Sequence, residues 1–185
     1  MADGLPERRS IRLNAYDYAS SGAYFVTVCA WQRMCAFGHI RDGAVVLNTA
    51  GVHVRDALVD MTVRDSHVCL DEYVVMPNHV HAILFLRETD ETSAVAAMKK
   101  PVGRIVGVLK TRSAHLINER RNTPGQRVWQ RNYYEHVIRD ESSLNRIRGY
   151  IAGNPARWTE DAEHPALIAA GAGARGRLPQ RRGPR

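Results

Sequence analysis

At 185 residues, with 44% hydrophobic and 24% charged side chains, the chain has the composition of one globular domain and enough length for a substantial core. Its longest apolar runs are strand-sized, which argues against a membrane span. Three scattered cysteines (Cys29, Cys35, Cys69) form neither a disulfide framework nor a zinc pattern, so a reducing, cytoplasmic setting is expected. The formal charge of +7 admits an anionic partner, although five of the positive charges are arginines after residue 170, where no acid occurs.

Residues 1–20 are polar, carry the basic run RRSIR and lack a signal-peptide core, so they are expected to form a surface arm. AYFVTVCAW (23–31) is aromatic and β-branched and predicts a strand, and FGHIRDGAVVLN predicts a short hairpin. Thr49 is the expected N-cap of a helix over 50–62, with Val54, Ala57, Leu58 and Met61 at helical spacing. HVCLDEYVVM (67–76) and HVHAILFL (79–86) read as two strands joined at Pro77-Asn78.

After a polar linker (87–100), Pro101 opens a long helix. Val102, Ile105, Val106, Leu109, Leu116 and Ile117 form its buried stripe, leaving Arg104, Lys110, Thr111, His115 and Asn118 to other faces. The stretch 122–125 ends it. RVWQRNYYEHVIR (127–139) contains another strand. Ser142 or Ser143 caps a last helix, which Pro155 terminates. From Pro165 onward the composition is Ala, Gly, Arg and Pro rich, and disorder is expected.

This order predicts an α+β fold: a ferredoxin-like βαββαβ antiparallel sheet with two helices on one face, plus a C-terminal helix. The expected organisation is an arm over 1–20, one domain over 21–160 and a basic tail over 161–185.

Side chains alternate along a strand, so His79 and His81 share a face, roughly 7 Å apart along the strand, and can converge on one divalent ion. Two ligands do not close such a site. Another must come from elsewhere, with positions left open for substrate oxygens. Alone, the pair more often marks surface histidines of an edge strand. In SSLNRIRGYIAGNPARW, Leu144, Ile147 and Ile151 make a core stripe, with Tyr150 and Asn154 one turn apart on its flank. Alone, these two read as a packing residue and a helix cap.

Together, MPNHVHAILFL, VWQRNYYEHVIRDE and RGYIAGNPARW, in that order, resemble the REP-associated tyrosine transposases over about residues 20–158. These are single-tyrosine transposases within the HUH nucleases. The resemblance implies that His79 and His81 bind Mg²⁺ or Mn²⁺, that Tyr150 is the nucleophile and that Asn154 is a third metal ligand. Other single-tyrosine transposases have glutamine at that last position, one methylene longer. The resemblance further implies cleavage of single-stranded DNA at REP palindromic hairpins through a 5′-phosphotyrosine link and a free 3′-OH, serving DNA transposition or REP mobilisation. The Trp129-Gln130 and Glu135-His136 block matches a family signature of structural or DNA-contacting character. Both monomer and homodimer are open, since in dimeric relatives the nucleophile helix can complete the partner's site.

Tyr134 is the alternative nucleophile, ahead of Tyr133, which alternation sends to the opposite face. Lys110, Arg112, Arg131, Arg139, Arg146 and Arg148 are candidates for phosphate contacts, with Trp129 and Gln130 as further DNA-binding candidates. Trp31, Trp129 and Tyr24 could stack bases, but each reads more readily as core. The rival readings are a non-catalytic domesticated hairpin-binding protein, another HUH enzyme such as a relaxase or rolling-circle initiator, and a metal-dependent hydrolase without a covalent step.

Overall fold

A computed structural model describes residues 21–87 and 101–169. The N-terminal arm, most of the polar linker and the arginine tail lie outside the described residues.

Strand β1 (Gly22–Cys29) is buried over nearly its whole length, which its run of aromatic and β-branched residues favours. A hairpin of β2 (Gly38–Arg41) and β3 (Ala44–Leu47) follows. It turns at Asp42-Gly43, both with positive φ, as a tight two-residue hairpin requires. Helix α1 (Thr49–Arg64) starts one residue earlier than expected, because Asn48 and not Thr49 is its N-cap, the Asn48 Oδ1 accepting from the Gly51 amide at 3.0 Å. Strands β4 (Val68–Val75) and β5 (His79–Leu86) are joined through Pro77-Asn78. Helix α2 (Val102–Arg121) ends at Asn122 in the left-handed conformation. Strand β6 (Tyr134–Ile138) leads into α3 (Glu141–Gly153), which Asp140 caps in place of Ser142 or Ser143, accepting from the Ser143 amide at 2.7 Å. A 3-10 segment (Pro155–Glu160) and a short helix α4 (Pro165–Ala169) close the described chain. The ordered fold thus runs past residue 160, and α4 stands where disorder was expected.

The four main strands lie in the order β4-β5-β1-β6, with every neighbouring pair antiparallel. This is the ferredoxin-like arrangement expected from the element order. Tyr24, Val26, Val28, Val80, Ala82 and Leu84 point to one face, where α1 and α2 supply Val54, Leu58, Ile105, Val106, Leu109 and Ile117. On α2 the stripe differs slightly from expectation. Leu116 is only half-buried, while Ser113 and Asn118 are buried. Burying a Val, Leu or Ile side chain contributes about 1.5–3 kcal/mol, so this face carries most of the stability.

The opposite face is smaller. Ala23, Phe25, Ile83 and Ile138 meet Ile147 and Ile151 of α3, which lie four apart on one side of that helix. His79 and His81 share this second face with Ile83, because β5 alternates.

A candidate metal and tyrosine site

Strand register places the two histidines. His79 pairs with Cys29 and His81 with Thr27, on the two central strands. Both imidazoles are buried, at 0% and 3% exposure, so neither is the edge-strand surface histidine that the bare motif suggests. Their Nε2 atoms lie 3.0 Å apart.

The Nδ1 atoms face outward from this pair. His79 Nδ1 lies 2.8 Å from Asn78 Oδ1, and His81 Nδ1 lies 2.9 Å from Thr27 Oγ1. A polar partner on the far nitrogen is the usual device that orients a metal-binding imidazole.

Helix α3 brings Tyr150 over the pair. Its hydroxyl lies 3.3 Å from His81 Nε2 and 3.4 Å from Asp161 Oδ2. The ring packs edge-on against Phe25 and beside His81, which fixes its position between sheet and helix. One turn later, Asn154 donates its amide to Asp161 Oδ2 at 2.6 Å, and its buried Oδ1 has no hydrogen-bond partner among the described residues. An orphaned buried acceptor costs about 1–3 kcal/mol unless something satisfies it.

Asp161 is the residue that sequence reasoning missed. It is 5% exposed, its Oδ2 lies 3.8 Å from His81 Nε2, and it completes a buried His79–His81–Asp161 group whose ligand atoms lie within 4.8 Å of one another. Only the clustering of Glu160, Asp161 and Glu163 in an otherwise basic C-terminal stretch signalled it. Glu163 is buried too, pairing with the Arg33 guanidinium and accepting from the Cys29 thiol at 3.4 Å.

The electrostatics follow from burial. Desolvation holds His79 well below the ordinary imidazole range, the neighbouring His81 adds to this, and the Asp161 charge opposes it. Burial also works against ionisation of Asp161. The His81 contact, the charges of both histidines and the Asn154 amide outweigh it and keep the carboxyl ionised well below its usual range. The Tyr150 phenol is pushed up, first by burial and then by the Asp161 charge, so it rests protonated. Burial, with Glu163 second, pushes the Cys29 thiol up to about 12, which removes it as a rival nucleophile.

The donor set suits a divalent ion. Two imidazole nitrogens and a carboxylate converge, and Asn154 adjoins them through Asp161 with its own carboxamide oxygen unpaired among the described residues. His79, His81, Asp161 and Asn154 are the residues that could hold it.

The remaining candidates divide. Tyr134 lies on the histidine face but packs edge-on against Phe25, and no described hydrogen bond joins its hydroxyl to the cluster. Tyr133 points the other way, donating to Glu135. Lys110 donates to the carbonyls of Gln130, Arg131 and Asn132, holding the approach to β6, and Trp129 is buried with its indole N–H on Ser113. The Gln130 amide donates to the Cys29 carbonyl. Arg112 pairs with Asp60, and Arg148 grips Asp71 with two nitrogens. Arg131, Arg139 and Arg146 are exposed and have no carboxylate partner among the described residues. No helix among the described residues is long and apolar enough to cross a membrane.

The chain is similar to known proteins. The family profile described as "Transposase IS200 like" matches residues 46–154, a span that contains His79, His81, Tyr150 and Asn154 but stops short of Asp161. A Haemophilus influenzae protein described as "Uncharacterized protein" is 37% identical over 168 residues, covering 85% of this chain and 93% of that one. A second Haemophilus influenzae protein, "Putative REP-associated tyrosine transposase", is 29% identical over 85 residues, covering 45% of this chain and 47% of its own. Among solved structures, "Structure of the REP associates tyrosine transposase bound to a REP hairpin" aligns over 98% of both chains with a TM-score of 0.56 at 20% identity, a likeness of fold.

Proposed function

The chain belongs to the IS200-like transposase family, and from that premise we propose that it is a metal-dependent single-strand DNA nuclease and strand transferase with Tyr150 as nucleophile. The observation that carries the reading is the convergence, within one chain, of the Tyr150 hydroxyl on His81 and Asp161 beside the paired His79 and His81 nitrogens. A pure DNA-binding protein has no use for a buried phenol aimed at a metal-binding group.

His79, His81, Asp161 and Asn154 would hold Mg²⁺ or Mn²⁺. The bound ion supplies charge neutralisation and orientation of the scissile phosphate. Tyr150 supplies the attacking oxygen. Its O–P bond forms as the bond from phosphorus to the 3′ oxygen breaks, giving a 5′-phosphotyrosine and a free 3′-OH. The phenol gives up its proton to solvent as the bond forms, the departing 3′ oxygen takes one up from solvent, and the proton count is unchanged over the step. One phosphodiester is exchanged for another, so a 3′-OH can reverse the step and join strands without an external energy source. The Phe25 and His81 rings flank the phenol and keep it from swinging away, which favours near-attack geometry.

The substrate class is single-stranded DNA carrying REP-type hairpins, met in the cytoplasm. The support is the resemblance of the three sequence blocks, together with the fold shared with a solved hairpin-bound REP transposase. Exposed Arg131, Arg139 and Arg146, without a carboxylate partner among the described residues, are the arginines we assign to phosphate contacts. The deciding experiment mixes purified protein, Mn²⁺ and labelled hairpin-bearing single strands and looks for a covalent adduct on a denaturing gel. Absence of any divalent-dependent adduct across a panel of hairpins would overturn the reading.

A further inference from the structure

Asn78 sits at the tip of the β4–β5 turn and is fully buried. Its side chain has no freedom of assignment. The amide nitrogen donates to the Arg33 carbonyl at 3.0 Å and to the Glu163 carbonyl at 2.7 Å, which uses both of its hydrogens. Turning the amide over would set an oxygen against two carbonyl oxygens. Asn78 Oδ1 must therefore be the atom facing His79 Nδ1 at 2.8 Å, and an amide oxygen only accepts.

The consequence passes to the imidazole. The proton of neutral His79 resides on Nδ1, so Nε2, the atom facing His81, carries the bare lone pair. His81 is set differently: the Thr27 hydroxyl at its Nδ1 can donate or accept by rotation, and in the metal-free chain its Nε2 carries the proton shared with the bare His79 Nε2 at 3.0 Å. His79 is held in the ligating tautomer, and His81 can switch to it when a cation takes the place of the shared proton, because the Thr27 hydroxyl pairs with either form.

The two carbonyls that lock Asn78 are themselves held. Gln32 and Arg33 both lie in the left-handed region at φ 52° and 54°, a conformation that non-glycine residues rarely adopt. The half-buried pairing of the Arg33 guanidinium with Glu163 ties these two carbonyl-bearing residues together.

We propose that Asn78 is a positioning residue for the metal site, fixing the His79 tautomer through an amide locked by the Arg33 and Glu163 carbonyls. This rests on the metal reading above only for its purpose, since the tautomer is a property of the metal-free chain. Asn78→Ala removes the acceptor. Asn78→Asp keeps an acceptor for Nδ1–H while removing both donors, so the two variants separate the tautomer from mere support of the turn.

Two measurements test it on the full chain. Long-range ¹H–¹⁵N spectra of metal-free protein at about pH 8, above the ordinary imidazole pKa, assign the ring protons. Wild type and Asn78→Asp are expected to show His79 protonated at Nδ1 alone, and Asn78→Ala a mixture. Mn²⁺ titration followed by electron paramagnetic resonance should show about tenfold or greater weakening in Asn78→Ala, with Asn78→Asp within about threefold of wild type. An unchanged His79 tautomer in Asn78→Ala overturns the proposal. So does equal weakening of metal binding in both variants, which would mark a purely structural residue. Wild-type protein that shows the locked tautomer yet binds no Mn²⁺ would uphold the tautomer lock and overturn the metal reading instead.

Discussion

The Tyr150 hydroxyl lies 3.3 Å from His81 Nε2, joining two residues 69 positions apart in one chain. Tyr150→Phe removes that oxygen and little else, since the ring keeps its packing on Phe25. The variant is expected to retain hairpin binding and lose the covalent adduct, read on a denaturing gel with labelled single strands and Mn²⁺. An adduct that survives in Tyr150→Phe and disappears in Tyr134→Phe would reassign the nucleophile.

Asp161 is expected to behave as a ligand equal in weight to the histidines. Asp161→Asn should weaken Mn²⁺ binding by about tenfold or more, within the range typical of groups that tune a metal site. Replacing both His79 and His81 by alanine should abolish divalent-dependent cleavage. Calorimetric titration with Mn²⁺ checks the first and chelator-controlled cleavage assays the second. Robust cutting by the double variant in chelator would eliminate the metal mechanism.

Two glycines on neighbouring helices should respond in opposite directions. A Cβ on Gly51 of α1 would stand 2.1 Å from the Phe37 carbonyl oxygen, whereas one on Gly107 of α2 meets nothing within 4 Å. Gly51→Ala is expected to destabilise by about 1–3 kcal/mol through overpacking. Gly107→Ala is expected to stabilise by up to about 1 kcal/mol through helix propensity. Urea unfolding midpoints measure both.

Cys29 gives the fold an alkaline limit. Its thiol is raised from about 9 to about 12, so the folded chain holds a proton that the unfolded chain releases across that interval. Folded protein binds more protons there, and stability therefore falls as pH rises from about 9 toward 12. Cys29→Ser should flatten this part of the stability profile, measured by denaturant titration at several pH values. Exposed Cys35 should meanwhile alkylate readily in the native protein, and Cys29 should not.

Local signals in the sequence were enough for most elements. The alternation in HVHAILFL placed His79 and His81 on one face, and the spacing of Ile147, Ile151, Tyr150 and Asn154 set the geometry of α3. Caps were displaced because Asn48, Thr49, Asp140, Ser142 and Ser143 all carry suitable oxygens, and backbone geometry chooses among neighbours. Arg112 and Arg148 read as phosphate contacts because their partners, Asp60 and Asp71, lie 52 and 77 residues away. Asp161 was hidden for the same reason. A carboxylate beyond a proline-broken helix joins the histidines only when the chain folds back against a strand seen 80 residues earlier.

That return of the chain sets an order in time. Strands β1, β4 and β5, with both histidines, are synthesised long before residues 161–163, the last to reach the site. At ~5–20 residues per second, roughly 4–16 s separate His81 from Asp161 on the ribosome. Through that interval the nascent chain carries two imidazoles without their carboxylate, and until Glu163 follows, the Asn78 amide and the Cys29 thiol also wait for partners. The growing polypeptide therefore holds only the two imidazoles of the buried His79–His81–Asp161 group until residue 161 has been added and folded back against β5.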